Sequence, residues 1–255
     1  MSAQAVVSLR QRTGVSISAC KEALDEAKGD EEKAIEILRK RGIAQAAKKA
    51  VREQKEGFMF SAEDQKISAL VLLHCETDFV ARDAGFQTLG KDLVQALLKE
   101  GEARLNALAN ERLPDAVQKL GENISLGEHH RIEAPVKGTY IHTNGKIGVI
   151  IGLDSGTEEQ ARSTAMHAAA MNPQYVSPDD VPSESIEKEK EIWREQLAKE
   201  GKPAQIMDKI MMGKEKKFRE ENALLKQEFV KEPGKTVEQY LGKAKVLSYV
   251  RVEIS

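Results

Sequence analysis

Aromatic residues are scarce in this chain: six Phe, four Tyr and one Trp make up 4% of 255 residues. Stacking platforms for single-stranded nucleic acid need several aromatics along a basic groove, so that class is excluded. Cysteine is nearly absent. Cys20 and Cys75 stand alone, neither in a Cys-x-x-Cys pair, which excludes a disulfide framework and a zinc finger. A reducing cytoplasm is the expected compartment. No apolar run nears the ~20 residues that cross a bilayer. The start, MSAQAVVSLRQRTG, lacks the basic opening and continuous apolar stretch of a secretory signal. Charge of one sign is missing too: the net charge is −2, so neither a nucleic acid nor a membrane is an expected partner. No GxxxxGK[S/T] or GxGxxG string occurs, so the chain carries no phosphate-cradling loop.

What is present divides into modules. Residues 1–55 hold 12 Lys/Arg against 8 Asp/Glu, while the rest of the chain is net acidic. The first 42 residues read as three short helices. Ala5, Val6 and Leu9 share a face, and Gly14 stops the first helix. Ile17, Cys20, Leu24 and Ala27 form the apolar stripe of the second. Gly29 suits a left-handed stop and Asp30 a cap for the third, in which Ala34, Ile35, Ile37 and Leu38 are apolar and Gly42 is the expected end. Residues 43–56 read as a helical linker. From Phe58 the period changes to a hairpin, Phe58–Phe60 and Ile67–Leu73, its second strand buried on both faces. A helix with Phe86, Leu89, Leu93 and Leu97 follows. The plan recurs at Thr139–His142, Asn144-Gly145, Ile147–Leu153 and a helix over 157–171, which suggests an internal duplication of strand–strand–helix. Asn144-Gly145 is the signature of a type I′ turn. A short helix, Pro114–Leu120, and an extended segment, Ile124–Ile132, join the two copies.

A charged stretch comes next, with Gly201-Lys202-Pro203 splitting two helical arms. Ile186, Trp193 and Leu197 on one arm are expected to face Ile206, Ile210 and Phe218 on the other, as an antiparallel coiled-coil hairpin. After Pro233-Gly234 a short helix, Val237–Leu241, and a last strand, Lys245–Ile254, return to the second sheet. The fold class is α+β. Its expected domains are 1–54 (helical module and linker), 55–135 (first core part), 136–184 with 231–255 (second core part), and 185–230 (hairpin).

Three strings bear on chemistry. Asp154-Ser155-Gly156 has the form of the aspartic-protease motif, but only one copy exists where two carboxylates must share a proton; a turn ahead of a helix is the better reading. The five histidines form no His-x3-His pair, and His129-His130 would point to opposite faces of a strand, so no metal is expected. The third string is Cys75-Glu76-Thr77-Asp78-Phe79-Val80-Ala81-Arg82-Asp83. Thr77 can cap a helix that opens at Asp78. Phe79 then either packs back on the sheet as a staple or points outward beside a carboxylate, and both readings stand open on these residues alone.

Leu9-Arg10-Gln11-Arg12-Thr13-Gly14 with Cys20-Lys21-Glu22-Ala23-Leu24, and Thr77 through Phe86, strongly resemble the bacterial elongation factor Ts family. Gly121-Glu122-Asn123-Ile124, Ala165-Met166-His167 and Lys217-Phe218 extend the likeness over almost the whole chain. Ala19, Leu72 and His74 depart from the family's commoner residues at strand or surface positions. The chain ends at Ser255, where some relatives continue into a further helical module. The resemblance implies a ubiquitin-associated-like N-terminal module, a two-part core and a protruding coiled coil. It implies guanine-nucleotide exchange on elongation factor Tu, in its GDP-bound and nucleotide-free forms, with no covalent chemistry and no cofactor. Thr77, Asp78, Phe79 and Val80 would disturb the partner's magnesium and phosphate site. Arg10, Ile17 and Ser18 would hold the partner through the N-terminal module, and His142 would face the partner's distal barrel. The coiled coil is a candidate self-association surface. The runner-up reading is a passive scaffold without exchange activity.

Lacking a phosphate loop, the chain itself should bind neither GDP nor GTP. Calorimetric titration checks this, and stoichiometric micromolar binding would overturn the exchange-factor reading.

Overall fold

Side-chain caps and left-handed residues divide the first fifty positions into helices. The computed structural model describes residues 3–200 and 204–254. Helix α1 (Ala3–Thr13) stops at Gly14, φ +69°. Ser16 accepts from the Ala19 N–H to open α2 (Ile17–Glu26). Lys28 and Gly29 both take positive φ, and Asp30 accepts from the Lys33 N–H to open α3 (Glu31–Lys49). Leu9, Cys20, Leu24, Ala34 and Leu38 are buried together. Ile17, expected in that stripe, lies outside it at 56% exposure.

The third helix does not end at Gly42. It continues to Lys49 because Gly42 is where α3 meets helix α6 (Glu102–Leu120). A Cβ on Gly42 would stand 2.9 Å from Gln118 Oε1 and 3.2 Å from the Pro114 carbonyl oxygen. Glycine serves close approach here, not a turn. The expected linker over 43–56 is therefore helical only as far as Lys49.

Strands β1 (Glu56–Glu63) and β2 (Ile67–Cys75) pair antiparallel, Phe58 opposite Leu73 and Phe60 opposite Val71. Asp64 closes their turn by accepting from the Lys66 and Ile67 N–H groups, each at 2.8 Å. With β3 (Ser125–Glu133) they form a sheet of order β1-β2-β3. The middle strand is buried from Ser68 to Leu73, hence its unbroken apolar run. A one-turn helix α4 (Asp78–Ala81) precedes α5 (Ala84–Glu100), whose Phe86, Leu89, Leu93 and Leu97 join the core of this sheet. The segment expected as a short Pro114–Leu120 helix is the last third of α6, which opens at Glu102. Leu105, Leu108 and Ala109 before Pro114 and Val117 after it are all buried. Proline forfeits one helix bond, and packing against α3 and α5 on both sides of it keeps the helix whole.

A second sheet has the order β4-β5-β6, from β4 (Val136–Ile141), β5 (Ile147–Leu153) and β6 (Val246–Glu253), with β5 buried at the centre. The β4–β5 loop is not the expected type I′ turn. Only Gly145 has positive φ, +73°, and Asn144 instead accepts from the Lys146 N–H through its side chain. With residues 142–146 between the strands, two left-handed positions are not required. Helix α7 (Glu158–Met171) opens with a Thr157–Gln160 capping box, and Asp154 accepts from the Ser155 hydroxyl and the Lys245 N–H. The Asp-Ser-Gly string is thus a turn. Helices α8 (Ser183–Lys199) and α9 (Ala204–Asn222) meet through Trp193 and Phe218, edge-on at 5.9 Å, and through Lys190 with Glu215. Ile186, Trp193 and Leu197 are buried, and of the residues expected to face them Phe218 meets Trp193 while Ile206 is exposed. The Gly201-Lys202-Pro203 break lies outside the described residues. Helix α10 (Val237–Leu241) precedes β6.

The architecture is α+β. Its two compact units are the chain up to Arg131 with Thr143–Gly148 and the residues from Val252 on, and Ile132–His142 with Val149–Arg251.

His167 on α7 is fully buried. Its Nδ1 accepts from the Val230 N–H at 3.3 Å, so Nε2 carries the proton and donates to Gln227 Oε1 at 3.0 Å. Burial holds its pKa below the ordinary 6.5. Below that pH the unfolded chain binds a proton that the folded one refuses, so stability falls as pH falls. The thermal midpoint should be level above about pH 6.5 and decline as the pH falls below it. Burial also lowers His74, so His167→Gln and His74→Gln should each remove part of the decline. An acid slope unchanged in both variants would contradict this account.

Candidate functional site

Beyond Cys75 the chain leaves the sheet, and the N–H groups of Glu76 and Thr77 need acceptors. Glu122 supplies one for both. Its Oε2 accepts from each N–H at 3.0 Å, and its Oε1 accepts from the Thr77 hydroxyl at 2.6 Å. Glu122 can reach because Gly121, the left-handed C-cap of α6 at φ +81°, turns the chain there. The neighbouring Asn123 N–H donates to Glu76 Oε1 at 2.6 Å. Asn123 also donates through its side chain to the Arg52 carbonyl and accepts from Gln54 at its own carbonyl. Arg52 reaches Glu76 at 3.4 Å. The segment after α3, the end of β2 and the end of α6 are thereby tied at one point.

On that point stands α4. Thr77 is extended and accepts from the Val80 N–H, which caps the helix. At the other end Gln87 donates to the Ala81 carbonyl at 2.7 Å, while Asp83 accepts from the Gly85 and Phe86 N–H groups to open α5. A single turn has one face to offer the core. Ala81 and half-buried Val80 occupy it, so Phe79 is left 82% exposed. The staple reading of Phe79 is overturned. The Asp78 carboxylate pairs with Arg82 one turn on, at 3.0 Å, with the Arg82 side chain largely in solvent and that of Asp78 about half exposed. Such a pair is worth about 0–1 kcal/mol, so a docking partner can open it at small cost. Cys75 donates to the Thr77 carbonyl, and burial pushes its thiol up to about 12. The tip therefore offers an aromatic face and a carboxylate, with no thiolate nucleophile.

A second feature lies on the helical module. Val6, Val7, Arg10, Ile17 and Lys21 line an open groove of about 680 Å³ between α1 and α2. Val7 and Ile17 are each more than half exposed there. Ser18 is exposed but outside the groove lining, its hydroxyl donating to Glu22 at 3.3 Å. A further groove of about 760 Å³ is bordered by Gly14 on one side and by Asp83, Gly85 and Lys119 on the other. The turn between α1 and α2 thus shares a surface with the trailing edge of the tip. His142, exposed just after β4, belongs to the other unit and sits edge-on to Tyr140 at 6.5 Å.

Of the residues expected from sequence, Thr77, Asp78, Phe79 and Val80 fall on one turn, and Arg10 and Ile17 share one groove. Arg52, Arg82, Glu122 and Asn123 were not anticipated in any site. Arg82 stands at helical spacing from Asp78 and was legible. Glu122 lies 45 positions from Thr77, and no local pattern reports such a contact. Among the described residues no cluster of three or more His, Cys, Asp or Glu could hold a metal ion. No described helix is long and apolar enough to cross a membrane.

Comparison with known proteins gives a consistent result. The family model described as Elongation factor TS matches residues 76–255. Elongation factor Ts of Marinobacter nauticus is 42% identical over 262 residues, covering all of this chain and 91% of that protein. Elongation factor Ts of Deinococcus radiodurans is 42% identical over 260 residues, covering 98% of each. The Saccharophagus degradans protein of the same name is 44% identical over 265 residues, again covering all of this chain.

Because Phe79 makes little contact with the core, Phe79→Ala should change stability by no more than about 0.5 kcal/mol, a shift in thermal midpoint of about 2 °C or less. A buried phenylalanine would cost about 3–5 kcal/mol. Calorimetric melting of the variant separates the two, and a loss on the larger scale would return Phe79 to the core.

Proposed function

Since this chain belongs to the elongation factor Ts family, we propose that it promotes release of GDP from elongation factor Tu during translation elongation in the cytoplasm. The observation that carries the reading is Phe79, almost fully exposed on a one-turn helix tied down at both ends. An aromatic ring held out on a braced support has the form of an interface anchor, because a few aromatic residues commonly carry most of the binding energy of an interface.

Exchange needs no covalent step. A GTPase holds GDP through backbone donors, a lysine and magnesium. A protein that binds the empty GTPase more tightly than the loaded one weakens nucleotide binding by the same factor. Phe79 acts as the wedge between partner helices, with Thr77 and Val80 fixing its direction. Asp78 brings a carboxylate toward the magnesium network. In the free protein Arg82 neutralises that carboxylate, so the charge acts only once the pair opens. Arg10, Ile17 and Ser18, in and beside the α1–α2 groove, hold the partner's nucleotide domain, and His142 meets its distal barrel. The three-helix module corresponds to the ubiquitin-associated-like part of the family and the α8–α9 pair to its coiled coil. That pair exposes Ile192 and Met212, which makes a second copy of the chain a candidate partner for it.

Release of labelled GDP from elongation factor Tu, followed at limiting concentrations of this protein, tests the reading. Phe79→Ala should slow stimulated release at least tenfold, since an aromatic hot spot is worth about 2 kcal/mol or more and ~1.4 kcal/mol is one decade. Asp78→Asn should cost less, because it keeps the shape and removes only a screened charge. Arg82→Gln, which frees that charge, should leave release unchanged or faster. Wild-type protein that binds the GDP-loaded partner without speeding release would establish the passive scaffold instead.

A further inference from the structure

We propose that Glu122 is a positioning residue for exchange: its carboxylate fixes the end of β2 and the cap of α4, so that Phe79 is presented in one orientation. The inference rests on the exchange reading above and adds to it a residue outside the tip. Three donors converge on this single side chain, the N–H groups of Glu76 and Thr77 and the Thr77 hydroxyl. Among the described residues no other acceptor serves all three. A helix of four residues has no stability of its own, because isolated helices shorter than about 12–15 residues are marginal in water. α4 therefore exists only through its attachments. At its far end these are Gln87 and the start of α5; at its near end Thr77 is the cap, and Glu122 sets the rotamer of that cap.

The remaining contacts reinforce the same point. Glu76, whose N–H Glu122 receives, uses its own carboxylate to hold the Asn123 N–H and Arg52. The two adjacent residues after Gly121 thus grip the two residues after Cys75 in both directions. Glu122 has no place on the exposed face of α4 and need not touch the partner. Its effect is on the step after association: a wedge that must first be ordered gives up to conformational entropy part of the interaction energy that lowers the barrier to release.

The test uses the full chain and compares Glu122→Ala, Glu122→Gln and Phe79→Ala. In Glu122→Ala the amide protons of Glu76 and Thr77 should exchange with solvent at least tenfold faster by NMR, while those of Leu70–Leu73 in β2 keep their protection. The maximal rate of labelled-GDP release should fall at least fivefold, with the half-saturating concentration within about twofold of wild type. Glu122→Gln keeps an oxygen for the two N–H groups and should restore most of the rate. Phe79→Ala should cost less in the Glu122→Ala background than alone, which a general loss of stability would not produce. Should Glu122→Ala fail to fold, Glu122→Asp, which draws the carboxylate back by one methylene, should speed the same two amide exchanges and lower the maximal rate in the same way. Unchanged amide exchange, or a full release rate beside an inactive Phe79→Ala, would overturn the positioning role while leaving the exchange reading intact. A wild-type protein that releases no GDP would overturn both, whatever the amides report.

Discussion

A central strand that ends abruptly leaves backbone donors with no strand to receive them, and the exposed tip depends on how that debt is settled. An unpaired buried donor costs about 1–3 kcal/mol, enough to force some side chain or water into place. Here the acceptor is Glu122, delivered from the end of α6 by the left-handed Gly121. Once those donors are satisfied by a carboxylate from across the unit, the chain can turn directly into α4 without a flexible connection. Everything that distinguishes the tip follows: a capped single turn, a small inward face of Val80 and Ala81, and a phenyl ring with nowhere to go but outward.

The same knot changes how the helical module should be regarded. Read as text, residues 43–56 separate the first three helices from the rest. In the fold, α3 runs across α6 at Gly42, and Arg52 and Gln54 after it are bound to Glu76 and Asn123. The connection is part of the tip's foundation. Asn123 is the hub that joins the segment after α3 to the end of β2.

What could be read from sequence was whatever repeats locally. The β1–β2 hairpin, the apolar stripe of α5, and the caps at Asp30 and Thr77 all announce themselves within a dozen residues. Glycine and proline misled where their reason was tertiary. Gly42 looked like a stop and is a crossing point, and Pro114 looked like a start and lies inside a helix that its neighbours hold together. Asn144-Gly145 looked like a two-residue turn, but a longer loop removed the need for one. The candidate site was half visible. Thr77 and Asp78 could be placed at a helix start from their chemistry alone, whereas the direction of Phe79 depended on which residues took the inner face. Glu122 could not be placed at all, since its partners lie some 45 residues away.

Cys75 sits directly beneath this apparatus. Its thiol, pushed up to about 12 by burial and donating to the Thr77 carbonyl, stays protonated at any pH a cell experiences. It is the thiolate, not the thiol, that attacks peroxides and disulfides. A sulfur two residues before the Thr77 cap is thus a poor nucleophile toward such oxidants. The apolar surroundings that fill the end of the strand therefore also quiet the one thiol beneath the tip.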